Sequence, residues 1–238
     1  MDCRLYNEEL TSQMKSLLAI TIFSLFSFCI CHAQERQELR DELRQLSERI
    51  ECFPDSIDLR LRKAACNLQL DEWEYAKDEY DYVLDRDPNN VSALFYRAYA
   101  NSRIGRYSFA RIDYENLLKI IPYHFEAQLG LALVNQKDKR YTEAMNQINL
   151  LIEQYPENAV AYAARGGMER ERDMNETAEY DYSRAIELDP DNTDYILNRA
   201  DLRIILNRHK EAKQDLDRLV ELGVQRAALS EFYKKIKK

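Results

Sequence analysis

Apolar residues recur along the chain with the period of an amphipathic helix and without the strict alternation of a strand. Residues such as Ala110, Tyr114 and Leu117 fall on one helical face. Turn-forming residues are few: there are 5 Gly and 5 Pro in 238 residues. Average usage would give roughly three times as many glycines. The pattern predicts helices joined by brief connections.

All five prolines stand 34 residues apart, a spacing that chance does not produce. They are Pro54, Pro88, Pro122, Pro156 and Pro190. Self-similarity at one fixed period indicates stacked units of secondary structure. With proline at position 32, the predicted repeats span 57–90, 91–124, 125–158, 159–192 and 193–223.

Two positions of the repeat, 8 and 20, always hold small residues. Position 8 holds Ala64, Ala98, Ala132, Gly166 and Ala200, and position 20 holds Ala76, Ala110, Ala144, Ala178 and Ala212. Small side chains let two helices approach closely. Each repeat is therefore predicted to be a hairpin of two helices, with large residues such as Tyr80 and Tyr114 at position 24.

The connection inside each hairpin has turn chemistry. Position 15, where the two helices join, holds Asp71, Gly105, Lys139, Asp173 and Asn207. Most of these residue types tolerate left-handed backbone angles. Proline at position 32 ends the second helix because it has no backbone N–H to donate.

Gly166 and Gly167 are adjacent inside a predicted helix, where each glycine costs about 1 kcal/mol relative to alanine. Close packing at position 8 explains Gly166. Two interpretations stay open for Gly167: a tolerated substitution, or a place that gives room to a ligand or to bending.

This 34-residue pattern, with small residues at 8 and 20, an aromatic residue at 24 and proline at 32, resembles the tetratricopeptide repeat over residues 57–223. The resemblance implies an all-α fold, a right-handed superhelical solenoid of five such repeats with flanking helices. Two departures are mild. Glycine stands at position 15 only once, and the family's tyrosine at position 11 is replaced by Asn67, Asn101, Asn135, Glu169 and Arg203.

Two charged positions change together between repeats, which predicts that they touch. Position 7 holds Lys63, Arg97, Arg165 and Arg199, and position 23 of the same repeats holds Glu79, Asp113, Asp181 and Asp215. The third repeat has Leu131 and Gln147 instead. We expect an ion pair across each of the four hairpins, of little energetic value where it is exposed to solvent.

Both ends of the repeat array carry apolar residues that could cover its terminal faces. Residues 34–56 are predicted to form the helix of a leading half-repeat, with Leu39, Leu43, Leu46 and Ile50 at helical spacing. Residues 224–238 are predicted to form a capping helix, with Val224, Leu229, Phe232 and Ile236 on its apolar side.

The first 33 residues have the layout of a secretory signal peptide. Lys15 precedes fourteen uncharged residues, 17–30, and Ala33 supplies the small residue expected before a cleavage site. That run is shorter than the roughly twenty residues of a membrane-spanning helix. Acidic residues upstream favour Met14 as the initiator. The expected mature chain begins at Gln34, has no integral membrane span and is periplasmic or secreted.

Only Cys52 and Cys66 remain in that mature chain. An oxidising compartment permits a disulfide. In the predicted hairpin, however, the two residues are roughly 10 Å or more apart, and a disulfide needs Cα atoms within about 7 Å. We therefore expect two buried free thiols.

Charge and motifs exclude several classes of function. The formal net charge of −8 argues against a nucleic-acid binder, which needs clustered Lys and Arg. The sequence has no glycine-rich phosphate loop, no GxSxG, no HExxH and no paired CxxC. We therefore expect no catalytic, cofactor-binding or metal-ligating residues, and no enzyme activity.

The resemblance implies a partner-binding groove on the concave side, lined by positions 2, 5, 6, 9, 12 and 13 of each first helix. The residues expected there are Arg62, Phe95, Tyr96, Tyr99, Arg103, Leu129, Leu133, Arg170 and Asn198. Tyr and Arg are frequent anchors of protein interfaces. Position 5 lacks the Lys or Arg with which some members of the family hold a C-terminal carboxylate.

The sequence therefore predicts a non-catalytic scaffold of the bacterial cell envelope or the secreted space that binds a peptide segment or protein domain in this groove. The expected partner is a protein or peptide, with no nucleic acid and no small-molecule cofactor. Two alternatives stay open: a structural subunit of a multi-protein envelope assembly, and a carbohydrate-associated binding module.

Overall fold

The computed structural model describes residues 34–236, and every regular element within them is a helix. Helix α1 covers residues 34–52. The first helices of the repeats are α2 (Ile57–Gln69), α4 (Val91–Arg103), α6 (Phe125–Lys137), α8 (Ala159–Arg170) and α10 (Thr193–Ile205). The second helices are α3 (Trp73–Arg86), α5 (Tyr107–Ile120), α7 (Tyr141–Gln154), α9 (Asn175–Leu188) and α11 (His209–Glu221), and α12 (Ser230–Lys235) follows. The predicted all-α fold of helix hairpins is confirmed.

The hairpins pack consecutively. A first helix packs against the second helix of its own repeat, as α6 does against α7, and that second helix packs against the next first helix, α8. The chain divides into two compact units between Ala93 and Leu94. The first unit contains α1, α2 and α3, and within the second unit the hairpin packing continues through α11.

The small residues at positions 8 and 20 of each repeat permit this packing. The alanines at positions 8 and 20 have no exposed surface. At Gly166, a Cβ atom would lie 3.1 Å from the ring of Tyr182 and 3.2 Å from the carbonyl oxygen of Ala178, which confirms close packing there. At Gly167, a Cβ atom would meet the Tyr182 hydroxyl at 3.5 Å, an ordinary contact. Sterics therefore do not require glycine at 167.

All five residues at position 15 adopt the left-handed conformation, with φ between 59° and 78°. In each hairpin the next residue donates its backbone N–H to the carbonyl oxygen of position 11, as Arg140 does to Asn135 at 2.8 Å. This hydrogen bond closes the helix end in the manner of a Schellman motif. It also explains how Lys139, which has a Cβ, is held at a φ of 61°.

The four predicted ion pairs are present and internal. Their N–O distances are 2.7 Å for Lys63–Glu79 and 2.6 Å for Arg97–Asp113, Arg165–Asp181 and Arg199–Asp215. Each acidic side chain is at most 10% exposed. The small contribution to stability that is expected of solvent-exposed ion pairs therefore does not describe these four, because loss of one partner would leave a buried charge unpaired. In the third repeat, Leu131 is buried and Asn135 donates a hydrogen bond to Gln147 at 2.7 Å.

In the fourth repeat a second acidic residue, Glu169, lies beside one of these pairs. Glu169 is buried, and its Oε2 atom has no hydrogen-bond partner among the described residues. Burial, with the neighbouring Asp181 carboxylate, raises the pKa of Glu169 from 4.5 to about 7. Glu169 thus keeps its proton in the folded chain at pH values where the unfolded chain has already lost it.

The contribution of Glu169 to stability is therefore expected to fall as the pH rises from about 4.5 to about 7. Glu169→Gln removes this dependence and raises the free energy of unfolding at pH 8 by about 2 kcal/mol. Urea denaturation followed by circular dichroism at several pH values measures the effect.

Glu171→Gln is the matched control. Hydrogen bonds from Lys137 and Gln136 lower the pKa of Glu171, so its contribution is present at neutral pH and is lost on acidification. The two variants should change the pH profile in opposite senses. A profile of Glu169→Gln that matches the wild type between these pH values would contradict the assignment.

The two helices that flank the repeats differ in how closely they match the predicted flanking helices. In the first unit, Leu46 and Ile50 of α1 are buried in a cluster with Leu59 and Cys66 of α2. In the second unit, the terminal helix is Ser230–Lys235, shorter than the predicted 224–238, because Gly223 turns the chain at a φ of 94° and residues 226–229 form turns. Leu229 and Tyr233 are nevertheless buried against the fifth repeat.

Within the described residues, Cys52 and Cys66 are free cysteines, as predicted. The prediction that both thiols are buried is wrong for Cys52, which is exposed at the end of α1. Cys66 is buried in α2, and this burial raises the pKa of its thiol. The error arises because Cys52 lies past the last buried residue of α1, Ile50, where helical spacing turns the side chain outward.

Candidate partner-binding groove

An apolar groove of about 460 Å³ lies between α4 and α6 in the second unit. Five of the predicted groove residues line it: Phe95, Tyr99, Arg103, Leu129 and Leu133. Two of these apolar side chains are well exposed, with Tyr99 at 37% and Leu133 at 40% of their surface. The structure therefore brings together residues that the sequence places 34 positions apart.

The groove follows from helical spacing on two successive first helices. Positions 5, 9 and 13 lie on one face because side chains four residues apart stack above each other. On α4 these positions hold Phe95, Tyr99 and Arg103. On α6 they hold Leu129, Leu133 and Lys137. Two parallel rows of side chains, each ending in a cation, form the walls.

Tyr114 of α5 and Gly130 of α6 also line the groove, and sequence reasoning missed both. A Cβ atom on residue 130 would lie 2.6 Å from the ring of Tyr114, so glycine is required for the ring to occupy its place. Tyr114 is buried, and this burial raises the pKa of its phenol. The sequence did offer an indication of this contact, because Gly130 stands within a predicted helix at position 6, one of the positions expected to line the groove.

The remaining residues of the lining were also missed: Ser102, Tyr107, Glu126, Val134 and Lys137. The repeat pattern could have identified three of them. Ser102, Glu126 and Lys137 occupy positions 12, 2 and 13, which are among the positions expected to line the groove. At the rim, Lys137 pairs with Glu171 at 2.7 Å. This ion pair is about half exposed and contributes little to stability.

Phe95 is held in place by aromatic neighbours. The ring of Tyr96 meets it edge-on with centroids 5.1 Å apart, and the ring of His124 stacks on it at 5.6 Å. Tyr114 contacts Phe95 edge-on at 5.9 Å. Tyr96, 44% exposed, is thus a neighbour of the groove and supports its wall.

Three predicted groove residues lie elsewhere. Arg170 of α8 donates a hydrogen bond to Asn198 of α10 at 2.8 Å and forms an ion pair with Asp201. These contacts join two first helices and occupy their polar groups. Arg62 lies in the first unit, where it pairs with Glu42 of α1 at 3.0 Å. The apolar groove is confined to the second and third repeats of the described chain.

Residues 34–236 contain neither a candidate membrane span nor a candidate metal-binding cluster. None of the helices there combines the length and the apolar composition that crossing a membrane would require. Over the same range, no three His, Cys, Asp or Glu side chains are grouped so that they could hold a metal ion.

Comparison with known proteins matches two segments of the chain to a repeat family. Models of the tetratricopeptide repeat match residues 67–124 and 126–158. A comparison with curated proteins finds no match.

Solved structures share the fold at low sequence identity. A tetratricopeptide repeat protein from Parabacteroides merdae is 19% identical, with a TM-score of 0.67, over 86% of this chain and 80% of that one. MamA from Desulfovibrio magneticus is 22% identical, with a TM-score of 0.60, over 70% of this chain and 94% of that one. YrrB, described as having an unusual peptide-binding site, is 17% identical, with a TM-score of 0.55, over 79% and 97%.

Proposed function

We propose that this chain, whose repeats have the tetratricopeptide-repeat fold, is a non-catalytic scaffold that holds an apolar segment of a partner protein in the groove between α4 and α6. The observation that carries the proposal is the groove itself, where Tyr99 and Leu133 expose apolar surface to solvent in a cavity of about 460 Å³. Concave, mostly apolar cavities with a few polar groups are typical of binding sites.

The polar groups of the groove stand at its edges. Arg103 and Lys137 end the two walls, and Glu126 lies at the start of α6. A partner that inserts an aliphatic or aromatic side chain between Tyr99 and Leu133 would bury apolar area in the middle, and its polar backbone would meet these charges at the edges. That division into an apolar centre and a polar rim is the usual anatomy of a protein interface.

The fold supports a role in binding proteins. Stacked helical hairpins present long surfaces on which a partner can lie. YrrB, a relative in fold only, is described as having a peptide-binding site.

Selection from a phage-displayed library of random dodecapeptides on the full chain tests the proposal. We expect enriched peptides to share an aromatic or aliphatic anchor, and Leu133→Arg to weaken their binding at least about tenfold, because the anchor then meets a charge. Fluorescence polarisation with the enriched peptides measures the loss.

Leu150→Arg is the matched control, because Leu150 is also exposed, at 50% against 40% for Leu133, but lies on α7 outside the groove lining. It should bind the peptides as the wild type does. The proposal fails if no peptide is enriched, or if Leu133→Arg and the wild type bind the enriched peptides equally.

The proposed location is the periplasm or the secreted space. It rests on the signal-like residues 1–33, which lie outside the described residues. N-terminal sequencing of the protein recovered from the exported fraction should find Gln34 first. Recovery of a chain that still begins at Met14 or earlier would count against it.

An alternative role, as a subunit of a larger envelope assembly, has its own support in the second unit. Phe109 and Ile112 of α5 are three residues apart on one helix face and 60% and 51% exposed, and neither lines the groove. Under this alternative, Phe109→Ser would release the chain from a large complex on gel filtration of cell extracts, and Leu133→Arg would leave the complex intact.

A further inference from the structure

A polar pocket of about 350 Å³ lies in the first unit, between α1, α2 and α3. Its position in the chain separates it from the apolar groove, which lies in the second unit. The residues that carry the inference are Lys63, Asn67, Glu72, Tyr75, Asp78 and Glu79.

Asn67 is the most unusual of these residues. It lies at position 11 on α2, is only 1% exposed, and lines the pocket. Its Nδ2 atom has no hydrogen-bond partner among the described residues. Leaving a buried donor unpaired is unfavourable, so the pocket offers a hydrogen bond to any ligand that brings an acceptor.

The walls supply acceptors and an aromatic face. Glu72 pairs with Arg40 at 3.3 Å, and Asp78 pairs with Lys77 at 2.8 Å. Each carboxylate has two oxygens with about four lone-pair sites, so one ion pair leaves acceptor capacity unused. Tyr75 exposes 66% of its surface at the same pocket.

The mixture of groups discriminates between classes of ligand. A small anion would accept from Asn67 but would meet the carboxylates of Glu72, Asp78 and Glu79. A simple cation would satisfy the carboxylates but would leave the Asn67 donor without an acceptor. A neutral polyhydroxylated ligand does both, because each hydroxyl donates one hydrogen bond and accepts others. Its C–H face can also lie on the ring of Tyr75.

The fifth repeat shows what the same place looks like when it is filled. There position 11 is Arg203, whose guanidinium pairs with Asp215 at 2.9 Å and with Glu179 at 2.8 Å. Asp215 occupies the position that Glu79 has in the first repeat. The shorter Asn67 does not extend as far, and the first repeat alone combines acidic residues at positions 16 and 22 with an aromatic residue at position 19.

We propose that the pocket formed by Asn67, Glu72, Tyr75 and Asp78 binds a saccharide unit, with the Asn67 amide and the carboxylates on its hydroxyls and Tyr75 against its ring face. This site is independent of the proposed peptide groove. Leu133→Arg, which disables the groove, should leave saccharide binding unchanged.

Two-dimensional NMR of the 15N-labelled full chain tests the proposal. The probes are D-glucose, N-acetyl-D-glucosamine and maltotriose, each added to about 10 mM, a concentration that saturates a site of millimolar Kd. At least one probe should shift the side-chain amide signals of Asn67 and the backbone amide signals of Glu72 and Asp78 in a saturable manner. Tyr75→Ala should weaken that probe about tenfold, and Tyr180→Ala, which removes an equally exposed tyrosine of α9, should not.

Asn67→Arg gives a second variant that is expected to fold. Its guanidinium would fill the pocket beside Glu79, as Arg203 lies beside Asp215, so the saccharide shifts of the Glu72 and Asp78 backbone amides should disappear. Glu79 already pairs with Arg60 and Lys63, so no gain in melting temperature is expected, and an unchanged amide spectrum of the second unit shows that the variant is folded. Inorganic phosphate and Nα-acetyl-lysine amide are the competing probes. The proposal is overturned if no saccharide shifts Asn67, if the Glu72 and Asp78 shifts persist in Asn67→Arg, or if either competing probe binds more tightly than every saccharide.

Discussion

Arg165→Met is expected to lower the free energy of unfolding by about 3–5 kcal/mol, the largest loss for any single substitution considered for this chain. Arg165 donates two hydrogen bonds of 2.6 Å to Asp181, and the Asp181 side chain is 1% exposed. Methionine keeps the apolar stem but leaves this carboxylate buried without a counter-charge. The cost is therefore the desolvation of a lone charge, beside the already unfavourable Glu169.

Urea denaturation at pH 7, monitored by circular dichroism, measures the loss. Lys213→Met is the control, because Lys213 pairs with Asp217 at 2.5 Å on the surface, with side chains 60% and 40% exposed. Removal of this exposed pair should cost less than about 1 kcal/mol. If both variants lost the same free energy of unfolding, burial would not determine how much an ion pair contributes to stability.

The third repeat indicates a double substitution that should restore the stability lost in Arg165→Met. It places Leu131 and Gln147 at the two positions and folds with the same hairpin geometry. The double variant Arg165→Leu with Asp181→Gln should therefore recover most of the stability that Arg165→Met loses, because it removes both charges together. A double variant as unstable as the single one would contradict this account.

Ile148→Ala is expected to cost about 2–5 kcal/mol. Ile148 has no exposed surface and occupies position 24, the large position of the second helix. It lies in a buried cluster with Leu151 of the same helix, Ala132 of α6 and Met168 of α8. Truncation leaves a cavity where three helices meet, and the cavity adds to the lost transfer free energy.

Leu150→Ala is the matched control, because Leu150 lies two residues away on α7 and is 50% exposed. Its truncation should change the unfolding free energy by less than about 0.5 kcal/mol. Thermal and urea unfolding of the two variants gives the comparison. If both truncations cost the same, position 24 is not the core position that the repeat pattern indicates.

Part of the candidate groove could be read from the sequence. The family resemblance gave positions 5, 9 and 13 as groove positions, and helical spacing explains why Phe95 and Tyr99, and Leu129 and Leu133, line one cavity. Spacing does not show which polar residues find partners. Arg170 was expected to be available in the groove but is bonded to Asn198 and Asp201 on the next first helix.

Tyr114 and Gly130 were not predicted as groove residues because their contact involves a second helix as well as a first helix. Tyr114 reaches the groove from α5 because Gly130 has no Cβ to exclude its ring. Position 24 predicts only that Tyr114 is large and buried. Its contact with a glycine of the following repeat depends on how two hairpins nest, which no single helix specifies.

The sequence by itself determined the repeat length, the hairpins, the left-handed turns at position 15 and the four pairs between positions 7 and 23. Each of these follows from local constraints that recur every 34 residues, namely small residues where helices touch, turn formers where they join, and opposite charges across one hairpin. Tertiary structure alone decided which carboxylates are buried, where an apolar cavity stays open, and that Asn67 lines a polar pocket. Burial and cavities depend on side chains from three or more helices at once, and a repeat pattern describes only one hairpin at a time.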